Sequence, residues 1–181
     1  ACGLAVVKGI SQASGISQED LKKSGLGLKW PNDIFFNEKK LAGMLLEGGQ
    51  LDSNQSTWLV IGIGINLTTD EALENTIQRP IASLDQISQT KKIDADVLWL
   101  AILKELAKTI EVFEQHSFSK FQEEWNSWDI YRNQSCAIIQ NEQIQFEGFE
   151  RGADDQGHLL IESNNKIQKI ISGDVSLKAK A

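Results

Sequence analysis

Three short runs in the first third of the chain carry residue types that could do chemistry. The first is Lys29-Trp30-Pro31-Asn32-Asp33. A lysine that ends an apolar strand, followed by a proline turn and two small polar side chains, can hold its ammonium over a site. That compact charge suits phosphate or carboxylate, although the same residues also suit an ordinary strand end with an Asn-Asp turn. The second is Gly62-Ile63-Gly64-Ile65-Asn66. Glycines alternating within an apolar strand let a ligand or a packed element approach the backbone, and Asn66 offers the acceptor and donors that complement an adenine edge, or a turn. This run is not a dinucleotide fingerprint, because position 67 is Leu and no helix pattern follows. The third is Lys40-Leu41-Ala42-Gly43, where small residues again open a strand backbone to a neighbour.

The rest of the composition narrows the field. With 18 Lys+Arg against 25 Asp+Glu, the net charge of −7 argues against gripping nucleic acid by bulk charge. No apolar run approaches the roughly 18 residues of a membrane span. Cys2 and Cys136 stand far apart and read as reduced thiols. His116 and His158 have no partner at metal-ligand spacing, so no protein-held metal site is expected. Trp99, Trp125 and Trp128 sit at helical spacing and read as core, and the Glu123-Glu124 and Asp154-Asp155 pairs as solvated surface.

Elements must position these residues. Residues 2–13 show helical periodicity, with Leu4, Val7 and Ile10 on one face and Ala5 adjoining, but no cap precedes them. Ser17 and Asp20 predict a cap on a second, short helix that Gly25 ends. From 26 to 67, apolar runs alternate with polar turns at 37–39 and 52–55, the pattern of consecutive antiparallel strands. Pro31 breaks the pattern, and the nearly continuous apolar run 58–67 predicts a central strand covered on both faces. A long helix follows from Asp94, its inner face written by Trp99, Ile102, Leu103, Leu106, Ile110 and Phe113. Phe118, Phe121, Trp125 and Trp128 mark another helix. The last fifty or so residues hold five short strands separated by turns, which implies a small barrel.

Taken together, KWPNDI at 29–34, KLAGMLLE at 40–47 and GIGIN at 62–66 resemble the catalytic domain of biotin protein ligases. The helix pair of 94–128 and the ending Gly173-Asp174-Val175-Ser176-Leu177 resemble that family's helical segment and C-terminal domain. The resemblance implies an α+β fold: a mixed, mostly antiparallel sheet packed with helices (the class II synthetase-like biotin/lipoate ligase fold) over 1–130, then an SH3-like β-barrel over 133–181. It further implies synthesis of biotinyl-5′-AMP from biotin and ATP with Mg2+, and transfer of biotin to a lysine of a carboxylase's carrier domain.

By the same resemblance Lys29 bridges the biotin carboxylate and the α-phosphate. Asn32 and Asp33 help hold phosphate and magnesium, and Lys40 contacts phosphate or the carboxyl end. Gly43, Gly62 and Gly64 lie against biotin, while Asn66 faces adenine. Trp30, Ile34 and Leu45 are the expected apolar wall. The family's Gly-Arg-rich loop and its ureido-gripping positions are not in these residues, so the chain is expected to be a portion of a ligase, inactive alone. Its exposed sheet edge suits homodimerisation. Lys178 stands where the family often has arginine, which keeps charge but loses the planar fork. A cytoplasmic location follows from the need for ATP and carboxylases. Two other functions compete with this one: a lipoate-protein ligase-like enzyme, and a degenerate module that binds biotin or carrier without catalysis. Any helix-turn-helix repressor domain would lie outside these residues.

Overall fold

The structure, a computed structural model, describes residues 1–50, 57–69, 80–87, 93–140, 143–171 and 175–179, the last segment as backbone only. The expected turns at 52–55, 141–142 and 173–174 lie outside the described residues.

Helix α1 (Cys2–Ser14) forms where the periodicity places it, and Leu4, Val7 and Ile10 are buried. Its N-terminal residue, Ala1, makes no side-chain cap. Helix α2 (Gln18–Lys23) is capped by Ser17, whose hydroxyl accepts from the Asp20 N–H at 3.1 Å. Gly25 follows in a left-handed conformation, φ 99°.

Strands β1 (Leu26–Lys29), β2 (Asp33–Phe36), β3 (Lys39–Gln50) and β4 (Thr57–Ile65) then form one antiparallel sheet in the order β1-β2-β3-β4. Asn37 and Glu38 both take positive φ, the geometry that matches a tight hairpin to strand twist. The expectation of a central, doubly covered strand at 58–67 is corrected here. Among the described residues β4 ends the sheet, and Trp58, Leu59, Val60 and Leu67 are exposed. An unbroken apolar run reports β propensity but cannot say which strands lie beside it.

After the short helix α3 (Leu84–Ile87), helix α4 (Ala95–His116) starts at Asp94, whose carboxylate accepts from the Asp96 and Val97 N–H groups. The buried face of α4 is Leu98, Ala101, Ile102, Glu105, Leu106 and Thr109. The expected stripe is thus rotated, and Trp99, Leu103, Ile110 and Phe113 are exposed rather than core. The reason is the partner. Gly9 of α1 lets the Ile102 backbone of α4 come so close that a Cβ at Gly9 would lie 2.9 Å from the Ile102 Cα. That crossing turns the small and medium residues of α4 inward. A 3₁₀ turn (Phe118–Lys120) and helix α5 (Gln122–Trp128) bury Phe118, Phe121, Trp125 and Trp128.

The terminal residues form a second antiparallel sheet of β5 (Ser135–Gln140), β6 (Gln143–Ala153), β7 (Leu159–Ser163), β8 (Lys166–Ile170) and β9 (Val175–Ala179), in the order β8-β7-β6-β5-β9. The Asp154-Asp155 pair divides. Asp155 is exposed, but Asp154 is buried at 7% exposure, a correction to the surface expectation. Its carboxylate accepts from the N–H groups of Gln156 and His158 and from Lys169 Nζ at 2.8 Å.

Hydrogen bonds join the two sheets through the segment after α5. The Ile130 N–H donates to the Leu28 carbonyl at 3.0 Å, making a parallel bridge of Leu28 with Asp129. The Asn126 side chain both donates to and accepts from the Ala153 backbone, at 3.0 and 2.7 Å. Trp30 Nε1 donates to the Gly157 carbonyl at 3.1 Å. Trp30 is 5% exposed, so this buried N–H has its partner in the turn between β6 and β7.

Candidate functional site

Strand register brings the three sequence runs together. Lys29 pairs with Asp33, Asp33 with Gly43, and Gly43 with Gly64, so one residue from each of the four strands stands in a single cross-strand row. Side chains along a strand alternate between faces, while directly paired residues share one. The row, with Leu45 and Gly62 two positions on, therefore looks away from α1 and α4. Leu28 and Met44 look toward them, as their contacts with the position of a Gly3 Cβ confirm.

This face has a positive end and a bare floor. Lys29 Nζ lies 4.9 Å from the Phe35 ring centroid and 5.7 Å from that of Tyr131. The two aromatic faces favour the ammonium and narrow its positions. Lys40 Nζ is 2.6 Å from Asp33 Oδ1. The pair lies over Gly43, where a Cβ would be 2.9 Å from Lys40 Nζ and 3.0 Å from Asp33 Oδ1. Beyond it the sheet is open. A Cβ at Gly64 would find its nearest neighbour at 4.0 Å, and one at Gly62 at 3.6 Å. Leu45, 62% exposed and paired directly with Gly62, stands beside them as an apolar contact surface.

The remaining expected residues build the frame. The Asn32 side-chain amide donates to the Met44 carbonyl, and the Met44 N–H donates to the Asn32 carbonyl at 2.9 Å, clamping the Pro31 turn to β3. Asn66 donates from Nδ2 to the Ala82 carbonyl at 3.0 Å and the Lys40 carbonyl at 3.3 Å. Its amide nitrogen thus ties the end of β4 to the segment before α3. Trp30 and Ile34 are buried in the core, not on the open face, so of the three expected wall residues Leu45 alone presents itself there. Lys178 pairs through its backbone with Ala137 in the terminal sheet.

A cavity of about 580 Å³ lies on the other, helical side, lined by Leu28, Met44, Leu46, Ile61, Ile110 and Phe113 and touched at one end by Lys29, Asn32 and Asp33. Lys40, Gly43, Gly62, Gly64 and Asn66 do not line it.

Phe35 and Tyr131 are the site residues that the sequence reading missed. Phe35 was legible in principle: it pairs with Gly27, the residue two before Lys29 in β1, which makes it a diagonal same-face neighbour of Lys29. Tyr131 comes from the segment after α5, and no local pattern links it to β1.

The chain is similar to known proteins along its length. Residues 2–66 match the model of the Biotin/lipoate A/B protein ligase family, and residues 132–178 that of the Biotin protein ligase C terminal domain. The chain is 32% identical over 184 residues to the bifunctional ligase/repressor BirA of Escherichia coli, covering 99% of this chain and 54% of that protein. It is 26% identical over 181 residues to the biotin–[acetyl-CoA-carboxylase] ligase of Mycobacterium tuberculosis, covering 97% of this chain and 60% of that protein. It superimposes with a TM-score of 0.79 and 28% identity on the biotin protein ligase of Aquifex aeolicus in complex with biotin and ATP, covering 99% of this chain and 69% of that one. The chain spans about half the length of the curated relatives it matches. These relatives are enzymes, and with matching models at both ends of the chain and motif residues aligned in one row, the chain resembles biotin protein ligases along nearly its whole length.

Proposed function

We propose that these residues serve an ATP-dependent biotin protein ligase that forms biotinyl-5′-AMP and passes biotin to a lysine of a carboxylase's carrier domain. The observation that carries the reading is the cross-strand row: an aromatic-flanked lysine at one end and a side-chain-free floor at the other. In the first step a biotin carboxylate oxygen attacks the α-phosphorus, and the bond to the β-phosphate's bridging oxygen breaks, releasing pyrophosphate. Both reactants are anions. Lys29 lies between them, lowering their repulsion and matching the charge that grows in the transition state. Lys40 adds a second cation, held by Asp33. Biotin lies along Gly43, Gly62 and Gly64 against Leu45, and Asn66 faces the adenine. In the second step the carrier lysine's amine attacks the mixed anhydride and AMP leaves.

Magnesium enters as part of MgATP. Within the row Asp33 is the hard oxygen donor suited to it, with Asn32 beside it. Lys178, on β9, is assigned to the nucleotide. The terminal sheet is assigned as an SH3-like β-barrel over 133–181, following the catalytic portion of 1–130. Assembly as a homodimer through the β4 edge, and a cytoplasmic setting, belong to the same reading.

A lipoate ligase-like enzyme is the second reading, since one matching model names both acids. The match of 132–178 to a biotin ligase C-terminal domain favours biotin. The test is biotin-dependent exchange of pyrophosphate into ATP, run on the 181-residue chain and on the complete reading frame that contains it, with Lys29→Ala in each. The expected result for the complete frame is exchange that falls about 10²–10³-fold or more on substitution. Biotin binding with no exchange from the complete frame would replace the enzyme with a binding module, and exchange driven by lipoate instead of biotin would reassign the substrate.

A further inference from the structure

The segment joining the sheets holds two carboxyl groups that the proposed chemistry does not use. Glu150, on β6, is fully buried. One of its oxygens accepts from the Gly152 N–H, and Asp129 Oδ1 accepts from the Tyr131 N–H at 3.0 Å. The other two oxygens, Asp129 Oδ2 and Glu150 Oε2, are buried and have no donor among the described residues. The two side chains lie within hydrogen-bonding reach of each other. Ionised carboxylates only accept, so two of them facing each other out of water would leave both oxygens unpaired and both charges in repulsion. A single proton between them removes both penalties.

We propose that Asp129 and Glu150 share one proton in the folded protein and act as positioning residues that hold Tyr131, and with it Lys29, in place. The link is short. Asp129 Oδ1 fixes the Tyr131 backbone, the Tyr131 ring lies 5.7 Å from Lys29 Nζ, and Asp129 itself bridges Leu28, the residue before Lys29. Glu150 supplies the anchor in the second sheet, its backbone bonded in both directions to Asn133 and Gln134. The charged and titratable groups that face the pair are Arg132 on the joining segment and Cys136 on β5, with Tyr131 alongside; Lys29 on β1 acts on Cys136 and lies over the Tyr131 ring. Arg132 favours the ionised pair, but its guanidinium also donates to the Asn126 carbonyl, at 3.2 Å. Burial pushes both carboxyls upward; Asp129 raises Glu150 further, while the hydrogen bond from Glu150 favours the ionised Asp129, so the shared proton rests on Glu150.

The sign follows from linkage. The folded protein keeps a proton that the unfolded chain gives up above the ordinary carboxylate range. The pair's contribution is therefore whole below that range and is lost as pH rises through the folded protein's own titration.

Two measurements test the assignment, neither needing biotin or ATP, so their failure leaves the proposed function standing and the reverse also holds. The first is urea unfolding of the 181-residue protein and of Glu150→Gln across pH 5 to 9. Glutamine keeps a donor toward Asp129 and has no proton to lose. The wild-type unfolding constant should rise relative to the variant by up to about tenfold per pH unit across the titration, and a pH-independent difference would overturn the shared proton. The second is the 13Cε signal of Lys29 followed by NMR over the same range. A step in the wild type that vanishes in Glu150→Gln supports the positioning role, whereas identical curves would reduce the pair to a structural joint. Asp129→Asn, which keeps the acceptor for Tyr131, should remove the same step and serves if Glu150→Gln does not fold.

Discussion

Asp33 Oδ1 lies 2.6 Å from Lys40 Nζ, and the two groups meet above Gly43, a residue with no side chain to keep them apart. The pair joins β2 to the start of β3 and places a second cation beside the Lys29 row. At 47% side-chain exposure for Lys40, its Coulomb energy is modest, on the order of 0–1 kcal/mol. Its importance lies in where the charge is held. Gly43→Ala puts a methyl into that space. Because the obstructed atoms include the flexible end of a lysine, the fold should yield easily, with less than about 1 kcal/mol lost. Adenylate formation should fall about tenfold or more, as the cation is displaced from its working position. Urea denaturation beside pyrophosphate exchange checks this, and equal activity in the variant would remove the pair from the chemistry.

Gly64 makes the opposite case. A Cβ there meets nothing closer than the Gly43 carbonyl oxygen at 4.0 Å. Gly64→Val should therefore leave stability unchanged or raise it, since valine suits a strand better than glycine. Biotin affinity should fall at least about tenfold, because the branched side chain fills the floor of the trough. Thermal melting and titration calorimetry on the complete protein distinguish the two effects. Unchanged affinity would show that biotin does not lie on this face.

Asp154 predicts an acid dependence. Burial alone would push its carboxyl up. The hydrogen bond from Lys169, the backbone N–H groups of His158 and Gln156, and the His158 ring outweigh burial and hold it well below the usual carboxylate range. A depressed folded value means stability that is present above the unfolded value, near 4 for Asp, and lost as pH falls below it. Asp154→Asn should cost about 1–3 kcal/mol at pH 7, a difference that shrinks toward pH 3. Chemical unfolding at pH 7, 5 and 3.5 measures it, and a constant difference would show that the charge contributes nothing.

Legibility differed from one element to the next. The hairpins of 26–65 were readable because strand period and turn residues are local. The buried face of α4 was not, because the stripe Trp99, Leu103, Ile110 and Phe113 is apolar at helical spacing and yet lies on the wrong side of the Gly9–Ile102 crossing. The sequence runs alone pointed to Lys29, Lys40, Gly43, Gly62, Gly64 and Asn66 as candidates. They could not say that Trp30 turns away from the open face to donate to Gly157, or that Asp154 is buried. Each depends on a neighbour far along the chain.

The amino-acid sequence by itself determined the strands, the helices, the turn chemistry and the resemblance to biotin protein ligases, because these rest on residue type at short spacing. Tertiary structure alone decided that Lys29, Asp33, Gly43 and Gly64 share one row, that β4 ends the sheet among the described residues, and that Tyr131, its backbone held by Asp129, packs against the lysine. The physical reason is register and packing. A one-residue slip in any hairpin would turn a motif to the other face of the sheet, and no local spacing encodes which distant segment closes over it.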